Sequence, residues 1–354
     1  MKIIHTSDIH LDSALTSHLS SDKVRERKRE LITSFRQTVE AAERQGAVAY
    51  IIAGDLFDTE KAARSTIETF MHTIENTPSI TFFYLFGNHE KKLIIDSGIT
   101  LPRNLKIFED GWTYYRIENT VIAGRCTTEE GMFDTLEIDA DKRNIVVLHG
   151  ELTDRSAPGG YIGVKEIEDK PIDYIALGHY HSYKAERLSS RCTAVYCGTP
   201  EPRGFDETGD KGIVEVECDL YTMNHRFIPT AKRQAVIVEA DISEAKNVFD
   251  IENIVNNVTR GINSGDIVRV LLTGVREVAF TIDTERLESK FDTRFYYLEI
   301  KDGTHVRIDP EEYKHDKSLK GEFIRCVLAA EISDEEKADI IATGLAALLG
   351  ESID

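Results

Sequence analysis

Short apolar runs recur through the first two thirds of the chain, and helix-like stretches separate several of them. Residues 29–44 and 62–76 have the pattern of helices, while short strand-like runs dominate after about residue 185. This alternation predicts an α/β fold, built as a two-layer β-sandwich flanked by helices. The apolar runs that predict buried strands lie at 2–4, 49–53, 82–86, 145–148, 174–177, 193–196 and 212–216.

The pattern starts again after about residue 230. A predicted strand at 235–240 is followed by apolar residues with helical spacing over 251–262. Gly265 interrupts the chain there, and the next strand is predicted at 267–272. This strand–helix–strand unit predicts a second, smaller domain.

About the last 40 residues have a helical pattern. Ser333 and Glu336 form a predicted capping box at the start of the last helix. Its apolar stripe consists of Ile340, Ile341, Leu345, Leu348 and Leu349. This stripe either packs on the same chain or docks a partner helix. We therefore expect three parts, at 1–230, 231–302 and 303–354.

Residues that commonly bind metals directly follow five of the predicted strands. Ligand sites form beyond the carboxyl ends of strands in an open sheet, so these side chains are expected to meet. One such run could occur by chance, whereas five in a fixed order predict a two-metal phosphoesterase centre. The runs are Ser7-Asp8-Ile9-His10, Gly54-Asp55-Leu56-Phe57-Asp58, Gly87-Asn88-His89-Glu90, Leu148-His149-Gly150 and Gly178-His179-Tyr180-His181.

The residue types in these runs suit phosphate-ester hydrolysis. Two divalent cations about 3.5–4 Å apart can bind the phosphate, lower the pKa of a water molecule and stabilise the attacking and leaving oxygens. A mixture of carboxylate and imidazole favours manganese, iron or zinc over magnesium or calcium alone. One carboxylate must bridge the ions, and Asp55 can approach both because it follows Gly54. No cysteine lies near the five runs in sequence, which argues against a cysteine-rich structural zinc site.

The five runs, in this order, resemble those of the calcineurin-like metallophosphoesterases. The flanking sequence is similar to the SbcD- and YhaO-type DNA repair exonuclease subunits within that family. The resemblance covers residues 1–230 closely, and residues 321–325 and 344–350 more weakly. The similar flanks are His5-Thr6-Ser7-Asp8-Ile9-His10-Leu11-Asp12-Ser13, Cys197-Gly198-Thr199-Pro200, Arg203-Gly204-Phe205-Asp206-Glu207 and Asp210-Lys211-Gly212.

The resemblance implies a role for each residue of the site. The ligands implied for one metal are Asp8, His10, Asp55 and His181. Those implied for the other are Asp55, Asn88, His149 and His179, with Asp55 bridging. His89 would act on the leaving oxygen as a general acid or charge stabiliser. Asp58 and Glu90 would orient ligand imidazoles or His89.

The resemblance also implies a function. It predicts a two-metal DNA exonuclease and endonuclease subunit for end processing, repair and recombination, with Mn²⁺ as the expected metal and Fe²⁺ or Zn²⁺ as alternatives. Such a subunit would be a homodimer that works with an SbcC-type coiled-coil, SMC-like ATPase. Residues 231–302 would form a capping domain, and residues 303–354 would dock the ATPase.

Other functions for the same site stay open at this stage. A metallophosphatase or a cyclic-nucleotide phosphodiesterase would use the same ligands on a non-DNA substrate. Such enzymes often need only the core domain, so the residues beyond 230 count against this reading. A metal-binding scaffold with little turnover is the third possibility, although it would have no need of His89.

Two surface features have alternative readings. Arg203 and Phe205 follow the site and would either touch substrate or belong to a turn fixed by nearby prolines. The charge-dense stretch from Asp22 to Glu30 is either a solvated helix face or a patch that positions phosphates.

Composition limits the partners and the compartment. The 43 basic and 62 acidic residues give a net charge of −19, which opposes tight independent binding to DNA. An ATPase partner could supply much of the grip on DNA. We expect no spanning helix, because no run of about 18 apolar residues occurs. The five cysteines form no C-x-x-C pair and no signal peptide is visible, so we expect a cytoplasmic protein.

Overall fold

The chain forms two compact units, Met1–Ala235 and Val236–Asp354. The computed structural model describes residues 1–15, 19–58, 62–86, 90, 93–94, 97–154, 160–277, 280–307 and 315–349. The strands of the first unit are β1 (Lys2–Thr6), β2 (Ala49–Ala53), β3 (Thr81–Leu85), β4 (Leu105–Ile107), β5 (Thr113–Ile117), β6 (Thr120–Gly124), β7 (Arg143–His149), β8 (Glu151–Thr153), β9 (Tyr161–Gly163), β10 (Tyr174–Gly178), β11 (Lys184–Arg187), β12 (Thr193–Tyr196), β13 (Gly212–Cys218) and β14 (Met223–Pro229).

Two six-stranded sheets build the first unit. The order of the first sheet is β14-β13-β1-β2-β3-β4, with β1 to β4 parallel. The order of the second sheet is β11-β12-β10-β7-β6-β5, with the four inner strands parallel. Parallel neighbours place their carboxyl ends at one edge, which is where the metal-type runs after β1, β2, β7 and β10 begin.

The two sheets pack face to face through their apolar side chains. Ile51 and Phe83 of the first sheet share one buried cluster with Ile145, Val147 and Tyr174 of the second. Every second residue of a strand points to the same face, so the alternate residues form a further apolar layer outside each sheet. The two-layer sheet arrangement flanked by helices is therefore confirmed.

Helices cover the outer face of the first sheet. They are α1 (Ser21–Arg44) and α2 (Arg64–Glu75). Phe35 of α1 and Phe70 of α2 pack with Tyr50 and Phe82 of the sheet. Helix α1 begins earlier than residue 29, because Ser20 caps it by accepting a hydrogen bond from the backbone N–H of Lys23 at 3.4 Å. Short 3₁₀ helices at Met132–Thr135 and Val164–Glu166 lie in the connections that follow β6 and β9.

The second unit has its own apolar core. Its elements are β15 (Ala235–Asp241), α3 (Val248–Val258), β16 (Ile267–Thr273), β17 (Val275–Glu277), α4 (Thr284–Phe291), β18 (Tyr297–Asp302), β19 (His305–Arg307), α5 (Leu319–Leu328) and α6 (Asp334–Leu349). Strands β15, β16 and β18 form a sheet in that order, and β17 pairs with β19. The predicted strand–helix–strand pattern corresponds to β15, α3 and β16. Its assignment as a capping domain stays a prediction.

The last two helices pack on each other. Ile324 of α5 and both Ile341 and Leu345 of α6 are buried in one small cluster. The predicted capping box is confirmed: Ser333 and Glu336 exchange hydrogen bonds, with the Ser333 N–H donating to Glu336 Oε2 at 3.0 Å. Part of the predicted apolar stripe is thus used within the chain, while Ile340 is exposed. Among the described residues, no helix combines the length and apolarity needed to cross a bilayer.

Candidate metal centre

The candidate ligands lie at the carboxyl ends of paired parallel strands. The loop after β1 carries Asp8 and His10, and the loop after the neighbouring β2 carries Asp55. His149 ends β7 and is in register with the last residue of β10, just before His179. The strand order therefore explains how residues far apart in sequence come to lie close together.

Backbone hydrogen bonds continue between the first two loops beyond the strands. The N–H of Asp8 donates to the carbonyl of Gly54 at 3.1 Å, and the N–H of His10 donates to that of Asp55 at 3.0 Å. Several candidate ligands have positive φ: Asp8 (50°), His10 (49°), Asp55 (49°) and His179 (103°). Such conformations cost on the order of 1–3 kcal/mol each in non-glycine residues and are concentrated at functional sites.

Within the described residues, two sets of potential ligand atoms each lie within 4.8 Å of one another. We call Asp8, His10 and His181 the first ligand group, and Asp8, Asp55 and His149 the second ligand group. Asp55 also connects them, because its Oδ2 lies 3.9 Å from Nε2 of His10 and 3.5 Å from Nε2 of His149. This position suits a carboxylate shared by two ions.

In the first ligand group, both imidazoles have an acceptor behind them. Nδ1 of His10 lies 3.1 Å from Asp58 Oδ1, and Nδ1 of His181 lies 2.8 Å from Glu207 Oε1. A carboxylate beside Nδ1 favours the tautomer that is protonated there, which leaves the Nε2 lone pair for a cation. The two Nε2 atoms lie only 3.3 Å apart. In that tautomer the two lone pairs face each other, and a cation between them removes their repulsion.

In the second ligand group, the backbone fixes the imidazole. Nδ1 of His149 lies 2.9 Å from the carbonyl oxygen of Ala53, so Nδ1 carries a proton and Nε2 faces Asp55. Glycines make this approach possible. A Cβ on Gly54 would lie 2.2 Å from His149 Nδ1, and one on Gly178 would lie 2.0 Å from the Ala53 oxygen. Only glycine fits at these two positions.

Asp8 is fully buried and belongs to both groups. Its carboxylate accepts a hydrogen bond from the Ser7 hydroxyl, and the backbone N–H of His179 donates to both of its oxygens at 3.0 and 3.1 Å. These bonds fix the carboxylate's orientation. Ser7 was given no role from the sequence.

Burial and neighbouring charges shift the pKa values of the residues in the two ligand groups. Burial raises the pKa of Asp8. Burial also acts against ionised Asp55, but the hydrogen bond and charge of His149 outweigh it and lower the pKa of Asp55 to about 2. Burial disfavours the protonated form of His149, yet Asp55 and Asp8 outweigh it and raise its pKa to about 9. Without metal, His149 is therefore protonated at neutral pH, and metal binding at its Nε2 would release a proton.

The donor set fits divalent cations of the manganese, iron and zinc type, because it combines carboxylate oxygens with imidazole nitrogens whose far side faces an oxygen atom. The sequence places no cysteine near the five runs, but the fold brings Cys197 Sγ to 3.0 Å from the Ser7 hydroxyl. Burial raises the pKa of the Cys197 thiol, so it stays protonated and is a poor ligand.

Other predicted site residues occupy the surroundings of the two groups. Glu90 accepts hydrogen bonds from the backbone N–H of Phe57 and from the Tyr84 hydroxyl, at 2.9 Å for the latter, and so fixes the loop that carries Asp55. The ring of His179 lies 5.6 Å from that of His149, and His179 belongs to neither ligand group. Asn88 and His89 lie outside the described residues.

Arg203 and Phe205 have defined positions. The Arg203 guanidinium donates to Asp58 Oδ1 at 2.9 Å and to Glu207 Oε1 at 2.6 Å, and Phe205 is buried. A contact of either residue with substrate stays a prediction. Glu207 was missed as a site residue, although it belongs to the loop whose sequence resembles the family. The residue type alone does not distinguish it from its acidic neighbours.

The charge-dense stretch at the start of α1 divides between two environments. Asp22 and Arg25 are exposed, as a solvated helix face requires, but Arg27 and Glu30 are buried. Arg27 donates to Glu30 and, at 2.7 Å, to the carbonyl of Pro202. Neither sequence-based alternative anticipates this buried pair.

Several known proteins are similar to this chain in sequence. Its residues 1–183 match the calcineurin-like phosphoesterase family. The chain is 27% identical over 298 residues to the uncharacterized metallophosphoesterase YhaO of Bacillus subtilis strain 168, covering 77% of this chain and 72% of that protein. It is 24% identical over 292 residues to the SbcD component of the SbcCD nuclease of Escherichia coli K12, covering 67% and 70%.

A solved structure of a dimetal phosphatase from Danio rerio is 11% identical, with a TM-score of 0.41, and the match covers 61% of this chain and 92% of that one. Calcineurin-like phosphoesterases bind two divalent metals, and the two ligand groups are the candidate residues for binding them here. The family match includes more than half of the chain, from the first ligand run to the last. The chain belongs to the calcineurin-like phosphoesterase family.

Proposed function

We propose that this chain is a two-metal phosphodiesterase that hydrolyses DNA, as an exonuclease and endonuclease subunit in end processing and repair. The observation that carries the proposal is that the imidazoles of His10, His149 and His181 converge on Asp8 and Asp55. The Nδ1 atom of each ring lies within 3.1 Å of an oxygen atom on its far side. Mn²⁺ is the proposed metal, since the mixed donor set suits it.

The residues have distinct proposed tasks. Asp8, His10, Asp55 and His181 would hold one ion, and Asp55, Asn88, His149 and His179 the other. When bound, the two ions would neutralise phosphate charge and supply a nucleophile from water at neutral pH. Asp55 would keep the two metal sites at a fixed separation, because its Oδ2 approaches an imidazole of each ligand group.

His89 would protonate or stabilise the leaving oxygen. Glu90 would keep the Asp55 loop in place through the N–H of Phe57. Asp58 would hold the His10 ring from behind. These contacts would hold the loops in place before the substrate binds. Groups that are already positioned contribute most to the reaction rate.

DNA as the substrate is supported by the similarity to the SbcD component of the SbcCD nuclease over most of the chain. The net charge of −19 gives this chain little electrostatic attraction for DNA by itself. The proposal therefore includes an SbcC-type coiled-coil ATPase as a partner that binds a homodimer of this chain in the cytoplasm. Residues 231–302 would form the capping domain, and residues 303–354 would dock the ATPase.

The test is hydrolysis of linear duplex DNA, labelled separately at each end, with Mn²⁺ or with EDTA. We expect Mn²⁺-dependent cutting by the purified chain and its loss in His89→Ala, with metal content retained. His72→Ala is the matched control, because His72 is an exposed histidine of α2 outside all five runs.

The small diester bis(4-nitrophenyl) phosphate separates the remaining outcomes. Its hydrolysis with no cutting of DNA, even with the ATPase present, would replace DNA by another phosphodiester as the substrate. Absence of hydrolysis of either compound in Mn²⁺, Fe²⁺ or Zn²⁺ would contradict the proposed enzyme activity.

A further inference from the structure

A pair of oppositely charged residues lies behind the first ligand group without being part of it. Both belong to the connection between β12 and β13, which we call the 199–211 loop. The side chain of Glu207 is 1% exposed and that of Arg203 is 16% exposed. Burying charges has a large desolvation cost, so ion pairs in such positions call for a specific explanation.

Glu207 joins the loop to a candidate ligand. Its Oε1 lies 2.8 Å from Nδ1 of His181 and accepts hydrogen bonds from Arg203 Nε at 2.9 Å and Nη2 at 2.6 Å. Its Oε2 accepts the backbone N–H of Arg203 at 2.6 Å. The Arg203 Nη2 atom also lies 3.2 Å from Nδ1 of His181. The carboxylate is therefore fixed by Arg203 from two sides while it faces the imidazole.

Arg203 carries the connection to the second imidazole of the group. Its Nη1 donates to Asp58 Oδ1 at 2.9 Å, and the same oxygen lies 3.1 Å from Nδ1 of His10. The planar guanidinium thus spans the two carboxylates that stand behind the two imidazoles. Its positive charge also reduces the repulsion between those carboxylates.

We propose that Arg203 and Glu207 are positioning residues that, together with Asp58, hold the rings of His10 and His181 in the orientation that binds one metal ion. We call these three residues the clamp. The inference rests on the proposed metal centre, and it assigns to Arg203 a task other than substrate contact. A metal-ligating histidine commonly donates its other ring N–H to a carboxylate, and loss of that partner weakens metal binding.

The loop is also fixed by contacts outside the clamp. Arg27 of α1 donates to the carbonyl of Pro202 at 2.7 Å, and Lys211 Nζ donates to the carbonyl of His181 at 2.7 Å. Glu201, in the same loop, is buried but contacts the Lys232 N–H and lies 3.5 Å from Arg27, away from the clamp. The loop therefore offers two buried glutamates, and Glu207 is the one that contacts a candidate ligand.

This pair of glutamates defines the experiment. Mn²⁺ binding to the full chain is measured by calorimetry for wild type, Glu207→Gln and Glu201→Gln, with thermal unfolding as the check on folding. We expect two Mn²⁺ per wild-type chain, and a loss of about 10–100-fold in affinity at one of the two sites in Glu207→Gln. Glu201→Gln carries the same chemical change and should keep both affinities.

Electron paramagnetic resonance provides a second readout. With two equivalents of Mn²⁺, wild type should give the signal of a coupled pair, and Glu207→Gln that of a single bound ion with free Mn²⁺. Arg203→Lys keeps the charge but loses the fork that spans the carboxylates, so it should weaken the same site. It replaces Glu207→Gln as the test if that variant does not fold.

The possible outcomes distinguish failure of the proposed positioning role from failure of the proposed metal centre. Two tightly bound Mn²⁺ in wild type and unchanged binding in both clamp variants would overturn the positioning role and leave the metal centre intact. Equal losses in Glu207→Gln and Glu201→Gln would also overturn it, because a general effect of the loop would then explain both. No Mn²⁺ bound by wild type would contradict the metal centre on which the inference rests.

Discussion

The two ligand groups are held in different ways. In the first, carboxylates of Asp58 and Glu207 stand behind the imidazoles, and Arg203 connects them. In the second, the carbonyl of Ala53 stands behind His149, and Gly54 and Gly178 leave room for it. Side-chain charge thus organises one half, whereas close backbone packing organises the other. The halves should therefore fail differently when mutated.

The largest effect is expected at Asp55, whose carboxylate faces an imidazole of each ligand group. Asp55→Asn removes the charge that faces Nε2 of His10 and of His149. We expect weaker Mn²⁺ binding at both sites and a fall of about 10²–10³-fold in phosphodiester hydrolysis, comparable to loss of one strong electrostatic group from a catalytic site. Calorimetry and a rate assay measure these changes. Asp134→Asn, at an exposed position, is the control, and loss of only one site would show that Asp55 is not shared.

Adding a methyl group at Gly178 should disrupt the second ligand group, which is held by close backbone packing. In Gly178→Ala the new Cβ would meet the Ala53 oxygen at 2.0 Å and His149 Nδ1 at 2.6 Å. We expect a loss of about 1–3 kcal/mol in the free energy of unfolding, as for overpacking, together with loss of the second metal. Urea unfolding and Mn²⁺ titration measure both.

Gly111→Ala is the matched control for that change, because its Cβ would meet nothing within 4 Å. Wild-type stability and two bound Mn²⁺ in Gly178→Ala would contradict the requirement for close packing at His149.

The 199–211 loop, which supports the first ligand group, is held in part by Arg27, the partner of Glu30. The stability that Glu30 contributes should depend on pH. Burial opposes ionisation of Glu30, but its bonds to Arg233, Lys232 and Arg27 outweigh this and lower its pKa to about 2. Its contribution to stability, on the order of 2–3 kcal/mol, is therefore present above pH 4.5 and is lost as the pH falls towards 2. In EDTA, wild type should be more stable than Glu30→Gln at pH 7, and the difference should shrink between pH 4.5 and 2.

Urea unfolding of both proteins across that pH range makes the comparison. A difference that stays constant over the range would show that Glu30 stabilises the chain without its charge. The measurement avoids the metal ligands, because Glu30 is held by Arg27, Lys232 and Arg233, none of which belongs to either ligand group.

The smallest effect concerns substrate at the boundary between the halves. Tyr180 lies between His179 and His181 in the sequence, is 46% exposed, and packs on Tyr196 with ring centroids 5.0 Å apart. An exposed, supported ring can stack on a nucleic-acid base. We expect Tyr180→Ala to raise KM for DNA by about tenfold with little change in kcat, and Tyr180→Phe to resemble wild type. Identical KM values in all three proteins would exclude stacking here.

The sequence predicts the parts of the site that follow strands, and it does so for a physical reason. Parallel strands end at one edge, so runs placed after β1, β2, β7 and β10 must meet there. The helix boundaries were less accurate, since charged residues at the start of α1 hide the apolar spacing. Asp58 lies 3.1 Å from Nδ1 of His10, and its role in orienting that imidazole stays a prediction.

The residues that sequence reasoning missed depend on contacts across the fold. Arg203 and Asp58 are separated by 145 positions, and no local pattern joins them. Glu207 is one acidic residue among several in its loop, and only the folded loop brings it to His181. Gly178 could be recognised as part of a motif, but the reason for it, a carbonyl and an imidazole in contact, needs the packed sheets.

The central claim is that each ligand group holds one cation at the shared edge of the two sheets. Crystals of the protein with Mn²⁺, measured at the manganese absorption edge, test it most directly. We predict two anomalous peaks about 3.5–4 Å apart, one beside Nε2 of His10 and His181 and one beside Nε2 of His149, with Asp55 between them. A single peak, or peaks away from these imidazoles, would contradict the account.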